Sequence, residues 1–138
     1  MDDRRAWRIA VHEAGHCLAA RLLGLPGCGG ASVEPDNAYA DVPTDCGAHS
    51  ICALMAGACA EAIVFGDFDP AGLAIDRELA AAEMESMGVV DGGDMLWEFT
   101  FDLLAPYENL ITSLAAELWR AGSLDGGEID AVMFGLAQ

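Results

Sequence analysis

The chain has 138 residues, of which 54% are hydrophobic, and six basic against 23 acidic residues give it a net charge of −17. This length predicts one domain covering residues 1–138, with enough apolar residues to build a core. A surface this acidic repels phosphate groups, so we expect neither nucleic acid nor anionic membrane surfaces as partners.

The N-terminus and the cysteines favour a cytoplasmic location. The first residues, MDDRRAWR, are not followed by the apolar segment of a secretory signal. No apolar run approaches the roughly 20 residues that a membrane helix needs, so we expect no membrane anchor. The five cysteines are an odd number without a CxxC pair. They are predicted to be reduced and mostly buried as small hydrophobic residues.

The first half of the chain alternates between helical and turn-rich segments. Apolar residues at spacings of three and four predict a helix from Asp2 or Asp3 to Leu23. Residues 27–47 are rich in turn formers, with two short segments, 31–34 and 38–40, that could form a hairpin or an edge strand. A second helix is predicted over residues 48–65. It is apolar on nearly all sides, so it should lie in the centre of the fold.

The second half reads as a series of further helices. A third helix is predicted over residues 71–87, with Asp69 and Pro70 as its cap and first residue. Two more are predicted over residues 94–104 and 106–121. A short last helix, 125–134, begins with Asp125 and Glu128 at capping-box spacing. The expected fold is therefore mainly α, with at most a small β-hairpin or edge strand.

The segment RIAVHEAGHCL carries the strongest functional signal in the sequence. His12 and His16 are four residues apart on a predicted helix, so their imidazoles lie on one face and can converge on one ion. Glu13 is offset from that stripe but close enough to hold a metal-bound water, which is the logic of an HExxH zinc site. A purely structural histidine pair is less favourable, because burying two unpartnered imidazoles among apolar residues costs a few kcal/mol.

A catalytic zinc ion needs a third protein ligand besides the two histidines. His49, Glu61 and Asp76 are the three candidates, and no further histidine follows His16 as in the metzincins. Spacing alone does not choose among them. Cys17 adjoins His16 but points about 100° away from the histidine stripe, so we do not expect it to bind the metal.

Three blocks in order resemble the protease domain of the FtsH-type ATP-dependent zinc metalloproteases: HEAGHCLAARLLG, LMAGACAEAIVFG and GLAIDRELAAAEMESMGV. The resemblance extends from about Arg8 to Met133. It implies a compact, helical, zincin-like metallopeptidase domain that binds Zn²⁺. By position, His12 and His16 match the zinc-binding histidines and Glu13 the catalytic glutamate. Asp76 matches the third ligand, and Glu61 a glutamate that orients a ligand histidine from outside the coordination sphere.

The chain also departs from this family's pattern. It has no GxxxxGK[ST] motif and no lysine, so no ATP-driven unfoldase is expected. The segment between the first two helices is shorter than the family's, and Ala58 replaces an arginine. The expected function is therefore ATP-independent hydrolysis of short or unfolded polypeptides by a zinc-bound water, with Glu13 as general base.

Two further expectations concern what the protein binds. The substrate is a peptide or unfolded polypeptide, which a protein partner could deliver, and the strand at Val33 could offer its edge to that substrate. The alternative function is a catalytically weak or inactive zinc-binding domain, derived from a protease, that acts as a protein-interaction module.

Overall fold

The computed structural model describes residues 3–89 and 92–135. In this part of the chain there are six α-helices and one small three-stranded sheet, so the predicted mainly-α class with a small edge sheet is confirmed. The helices are α1 (Asp3–Leu22), α2 (Ala48–Phe65), α3 (Pro70–Ser86), α4 (Gly93–Leu104), α5 (Glu108–Ala121) and α6 (Gly126–Phe134). The strands are β1 (Ala31–Glu34), β2 (Asn37–Ala40) and β3 (Ser123–Leu124).

Helices α1 and α2 cross at very short range in the centre of the fold. A Cβ atom at Gly15 would lie 2.5 Å from Ala60 Cβ and 2.6 Å from the Ala56 carbonyl oxygen. Only a glycine permits this approach, because any side chain would collide with the α2 backbone. The main core packs around this crossing, with fully buried residues from α1, α4, α5 and α6: Leu18, Leu104, Ile111, Leu114, Leu118 and Ile129.

Helix α2 corrects the expectation that no apolar segment approaches the length of a membrane helix. Among the residues that the structure describes, it alone has the length and composition of a membrane span, with 18 residues and a mean hydropathy of 1.6. However, 61% of it is buried inside the protein. Core helices of soluble proteins meet the same criteria, and the observed burial agrees with the central position predicted for this segment.

The sheet has the strand order β2-β1-β3, and both pairings are antiparallel. The predicted hairpin pairs Ala31 with Ala40 and Glu34 with Asn37. The expectation that the strand at Val33 offers a free edge is wrong. Strand β1 lies in the middle of the sheet because the two-residue strand β3, which was not predicted, pairs with its other side. The edge beside the site is β2.

Local capping signals position the later helices. The Asp69 side chain accepts a hydrogen bond from the Ala71 N–H, and Pro70 is the first residue of α3. The predicted capping box of Asp125 and Glu128 is confirmed, with both reciprocal hydrogen bonds present. Helix α5 begins at Glu108 rather than 106, because residues 105–107 form a single 3₁₀ turn after α4.

Candidate metal centre

Three potential ligand atoms converge in a cleft between α1 and α3. His12 Nε2 and His16 Nε2 are 3.0 Å apart, and the Oδ2 atom of Asp76 lies 2.9 Å from the first and 3.1 Å from the second. The two histidines project from successive turns of α1, while Asp76 is in the second turn of α3. Packing of α3 beside the α1–α2 pair therefore brings Asp76 to histidines that lie 64 and 60 positions earlier in the chain.

The other ring nitrogens determine which atoms face the centre. His16 Nδ1 lies 2.7 Å from the carbonyl oxygen of Ala53, which can only accept a hydrogen bond, so Nδ1 carries the proton. His12 Nδ1 lies 2.6 Å from Oε2 of Glu61 and donates to that carboxylate in the same way. In the neutral imidazoles, both Nε2 lone pairs then point at each other and at Asp76. Lone pairs that converge in this way repel one another unless a cation lies between them.

The size and chemistry of this group suit a zinc ion. Ligands at about 2.0–2.2 Å from a tetrahedral zinc lie roughly 3.3–3.6 Å from one another, only slightly farther than the three atoms here. Two imidazoles and one carboxylate are also a common ligand set of catalytic zinc sites, in which the fourth position stays open. The donor set and the spacing therefore both fit the metal.

A glycine on α2 keeps the volume beside the imidazoles open. A Cβ at Gly57 would lie 2.5 Å from His12 Nε2 and 2.6 Å from His16 Nε2. Both imidazoles would have to move to admit a methyl group there. This role of Gly57 was not predicted; the only signal in the sequence is a single glycine within an otherwise apolar helix.

The two other carboxylates of the site lie outside this triangle. Glu13 Oε1 is 3.9 Å from His16 Nε2, near enough for Glu13 to form a possible metal-binding group with the two histidines, and near enough to reach a water molecule bound between them. Its side chain is buried, and this burial raises the pKa of the carboxyl group. Glu61 is 1% exposed and contacts His12 through Nδ1. His49 is exposed in the first turn of α2 and is not brought into the group.

The carboxylates of the site favour a positive charge beside them. Burial opposes protonation of His12, but hydrogen bonds to Asp76 and Glu61 outweigh it and raise the imidazole pKa to about 10. Burial likewise opposes ionisation of Asp76, yet the two neighbouring imidazoles hold the pKa of this carboxyl far below its usual value. In the metal-free protein a proton on His12 supplies this positive charge, and a divalent cation would supply a larger one.

The triangle opens into a cleft of about 450 Å³. Strand β2 forms one wall and α3 the other, with Ile75 and Leu79 exposed on the α3 side. Arg8 of α1 also lines the cleft, and its guanidinium donates to Oε1 of Glu61 at 2.9 Å. Like Gly57, Arg8 was not predicted as part of the site.

No protein-family model matches the chain, and no match was found among curated proteins.

Proposed function

We propose that this protein is a zinc metallopeptidase that hydrolyses peptide bonds in short or unfolded polypeptides without ATP. The observation that carries the proposal is the convergence of His12 Nε2, His16 Nε2 and Asp76 Oδ2 beside a buried glutamate at an open cleft. The resemblance of three sequence blocks to the FtsH-type protease domain supports the same function.

Each residue of the site has a defined task in this reaction. His12, His16 and Asp76 would hold the ion, which when bound would lower the pKa of a coordinated water and polarise the scissile carbonyl. Glu13 would accept a proton from the attacking water and pass it to the leaving nitrogen. Its raised pKa suits this task, because a base that returns its proton works best when its pKa lies near the working pH.

The outer edge of β2 offers backbone groups to an extended substrate. Asp41 exchanges hydrogen bonds with Gly29 and Gly30 on the β1 side. The backbone N–H and C=O groups of successive residues point to opposite sides of a strand. Those of Tyr39 therefore also face β1, whereas those of Ala38 and Ala40 point away from it. A peptide could therefore pair with β2 and lie across the cleft. The exposed Ile75 and Leu79 on the opposite wall would contact apolar side chains, which unfolded polypeptides present.

Metal analysis followed by peptide digestion tests the proposal. Protein purified without chelators should hold one zinc per chain, and His12→Ala or Asp76→Ala should remove it, whereas His49→Ala should not. The wild type should cleave members of an unstructured peptide library. Glu13→Gln should retain zinc and fold but lose cleavage, because an amide cannot act as a base. Cleavage by Glu13→Gln at the wild-type rate would refute the mechanism.

One observation favours a second candidate function, a zinc-stabilised interaction module. Strand β2 has only four residues, so it can hold only a short stretch of substrate. If zinc binds stoichiometrically and no library peptide is cleaved, this second function is supported instead.

A further inference from the structure

Arg8, one of six basic residues in this acidic protein, pairs with two carboxylates beside the candidate metal centre. Its Nη1 atom donates to Glu61 Oε1 at 2.9 Å, and its Nη2 atom donates to Asp67 Oδ1 at 2.7 Å. The guanidinium also lies 4.5 Å from the centre of the Phe65 ring. Arg8 is one helical turn before His12, so it braces the same face of α1 that carries the histidine ligands.

The carboxylate of Glu61 connects Arg8 to both ligand-bearing helices. Its Oε2 atom accepts from His12 Nδ1 at 2.6 Å, and its Oε1 atom also accepts from the backbone N–H of Asp69 at 3.0 Å. Asp69 caps α3, the helix that supplies Asp76. A single buried side chain therefore ties the first histidine to the turn from which the third ligand's helix begins.

A carboxylate in this position needs a positive partner. The Glu61 side chain is only 2% exposed, and a buried charge without a counter-charge is costly. His12 cannot be that partner once its Nε2 atom binds a metal, because the imidazole is then neutral. Arg8 supplies the charge and one of the two hydrogen bonds that hold Oε1.

We propose that Arg8 is a positioning residue for the metal centre, which acts through Glu61 to keep His12 Nε2 and the start of α3 in place. This inference rests on the proposed function in that the ion is zinc. Partners that orient a metal-binding histidine typically contribute a factor of 10–100 to metal affinity.

The sign of the effect separates positioning from long-range electrostatics. Removing a positive charge near a cation site should tighten zinc binding by Coulomb's law alone. Positioning predicts the opposite, so Arg8→Met should weaken zinc binding about 10- to 100-fold in competition with a chromophoric chelator. Arg120→Met is the matched control. It removes the same charge from an exposed pair with Glu117 on α5 and should leave the affinity unchanged or slightly tighter.

A double-mutant cycle tests whether Arg8 acts through Glu61. In a Glu61→Gln background, the amide oxygen can still accept from His12 and needs no counter-charge, so adding Arg8→Met should cost less than about threefold. Arg8→Lys, which keeps the charge but loses the planar fork, should fall between wild type and Arg8→Met. This variant and the double variant keep the test decisive if Arg8→Met alone fails to fold. Wild-type affinity in Arg8→Met, or independent effects of Arg8 and Glu61, would overturn the inference.

A metal-free measurement distinguishes failure of this inference from failure of the proposed function. The hydrogen bond to Glu61 should protect the His12 Nδ1 proton from exchange and give a resolved ring N–H signal by NMR. Arg8→Met should let this proton exchange faster, because Arg8 supplies one of the two hydrogen bonds that hold Oε1, whereas Arg120→Met should leave the exchange rate unchanged. If the wild type binds no zinc, the proposed function fails, while an unchanged exchange rate in Arg8→Met would still refute the positioning role.

Discussion

Gly57 illustrates how a single missing side chain can define a site. Its Cα faces the two imidazoles so closely that a Cβ would lie 2.5 Å from one Nε2 atom and 2.6 Å from the other. A Cβ atom essentially never lies this close to another non-bonded heavy atom, and α2 cannot move away, because its crossing with α1 is equally tight at Gly15. The volume that a metal and its water would need is therefore kept open by the absence of one methyl group.

Gly57→Ala should abolish stoichiometric zinc binding while the helical fold remains. Alanine is the better helix former by about 1 kcal/mol, but the methyl group would displace both imidazoles. Metal content and circular dichroism of the purified variant would check this. Gly93→Ala is the control, because a Cβ at Gly93 in α4 meets nothing within 4 Å and this change should leave zinc binding intact. Full zinc occupancy in Gly57→Ala would show that the ion is held elsewhere.

Each secondary-structure element contributes a different part of the candidate site. Helix α1 provides the two histidines and Glu13, the proposed base, while α3 adds Asp76. Helix α2 provides the residues that contact the histidines from outside: Ala53, Gly57 and Glu61. Strand β2 lines the cleft without contributing to the triangle. The strand that would pair with the substrate backbone is thus separate from the helices that would bind metal, so this pairing can be altered without changing the metal ligands.

Ala38→Pro should weaken peptide cleavage and leave zinc content unchanged. Proline removes the outward N–H of residue 38, and prolines are tolerated on edge strands because the inner ladder is preserved. Loss of one substrate hydrogen bond should lower kcat/KM about 3- to 10-fold. Tyr39→Pro removes an inward N–H and should instead destabilise the hairpin, which thermal unfolding would detect. If Ala38→Pro cleaves peptides as well as the wild type, substrate does not pair with β2.

The stability of the whole protein should depend on pH, because a proton and a metal ion would compete for His12. In the metal-free fold, the pKa of His12 is raised from 6.5 to about 10. Protonated His12 therefore stabilises the fold fully below pH 6.5, and this contribution is lost as the pH rises through about 10. A bound ion would take the place of the proton, and its affinity rises with pH because it no longer competes with that proton.

The difference in melting temperature between zinc-loaded and chelator-treated protein should therefore grow from pH 6.5 to about 8.5. Calorimetry with and without chelator measures it. Burial raises the pKa of the Cys17 and Cys59 thiols to about 12, so in the unfolded chain these thiols ionise first, near pH 9. This lowers the melting temperatures of the zinc-loaded and the metal-free protein alike, so the comparison is made below that pH, where both forms stay folded. A difference that stays constant or shrinks over this range would contradict the assigned role of His12.

Much of this architecture is encoded over short distances in the chain. The spacing of His12 and His16 places two imidazoles on one helical face whatever surrounds them, and the capping residues Asp69 and Asp125 start their helices by contacts within three positions. The segment 48–65 is apolar on nearly all sides, which favours a helix in the centre of the fold. Helical periodicity and capping are local, so the mainly-α fold and the two-histidine motif can be read directly from residue order.

Contacts between distant segments required the three-dimensional fold. By residue type, the third ligand could equally be His49, Glu61 or Asp76. The packing of α3 against α2 brings Asp76 to the histidines, while His49 stays exposed. The Arg8–Glu61 pair and the central place of β1 depend in the same way on partners far along the chain. Such neighbours are set by how closely helices can cross. Here that distance is controlled by Gly15 and Gly57, and which atoms face each glycine is decided only when the two helices pack.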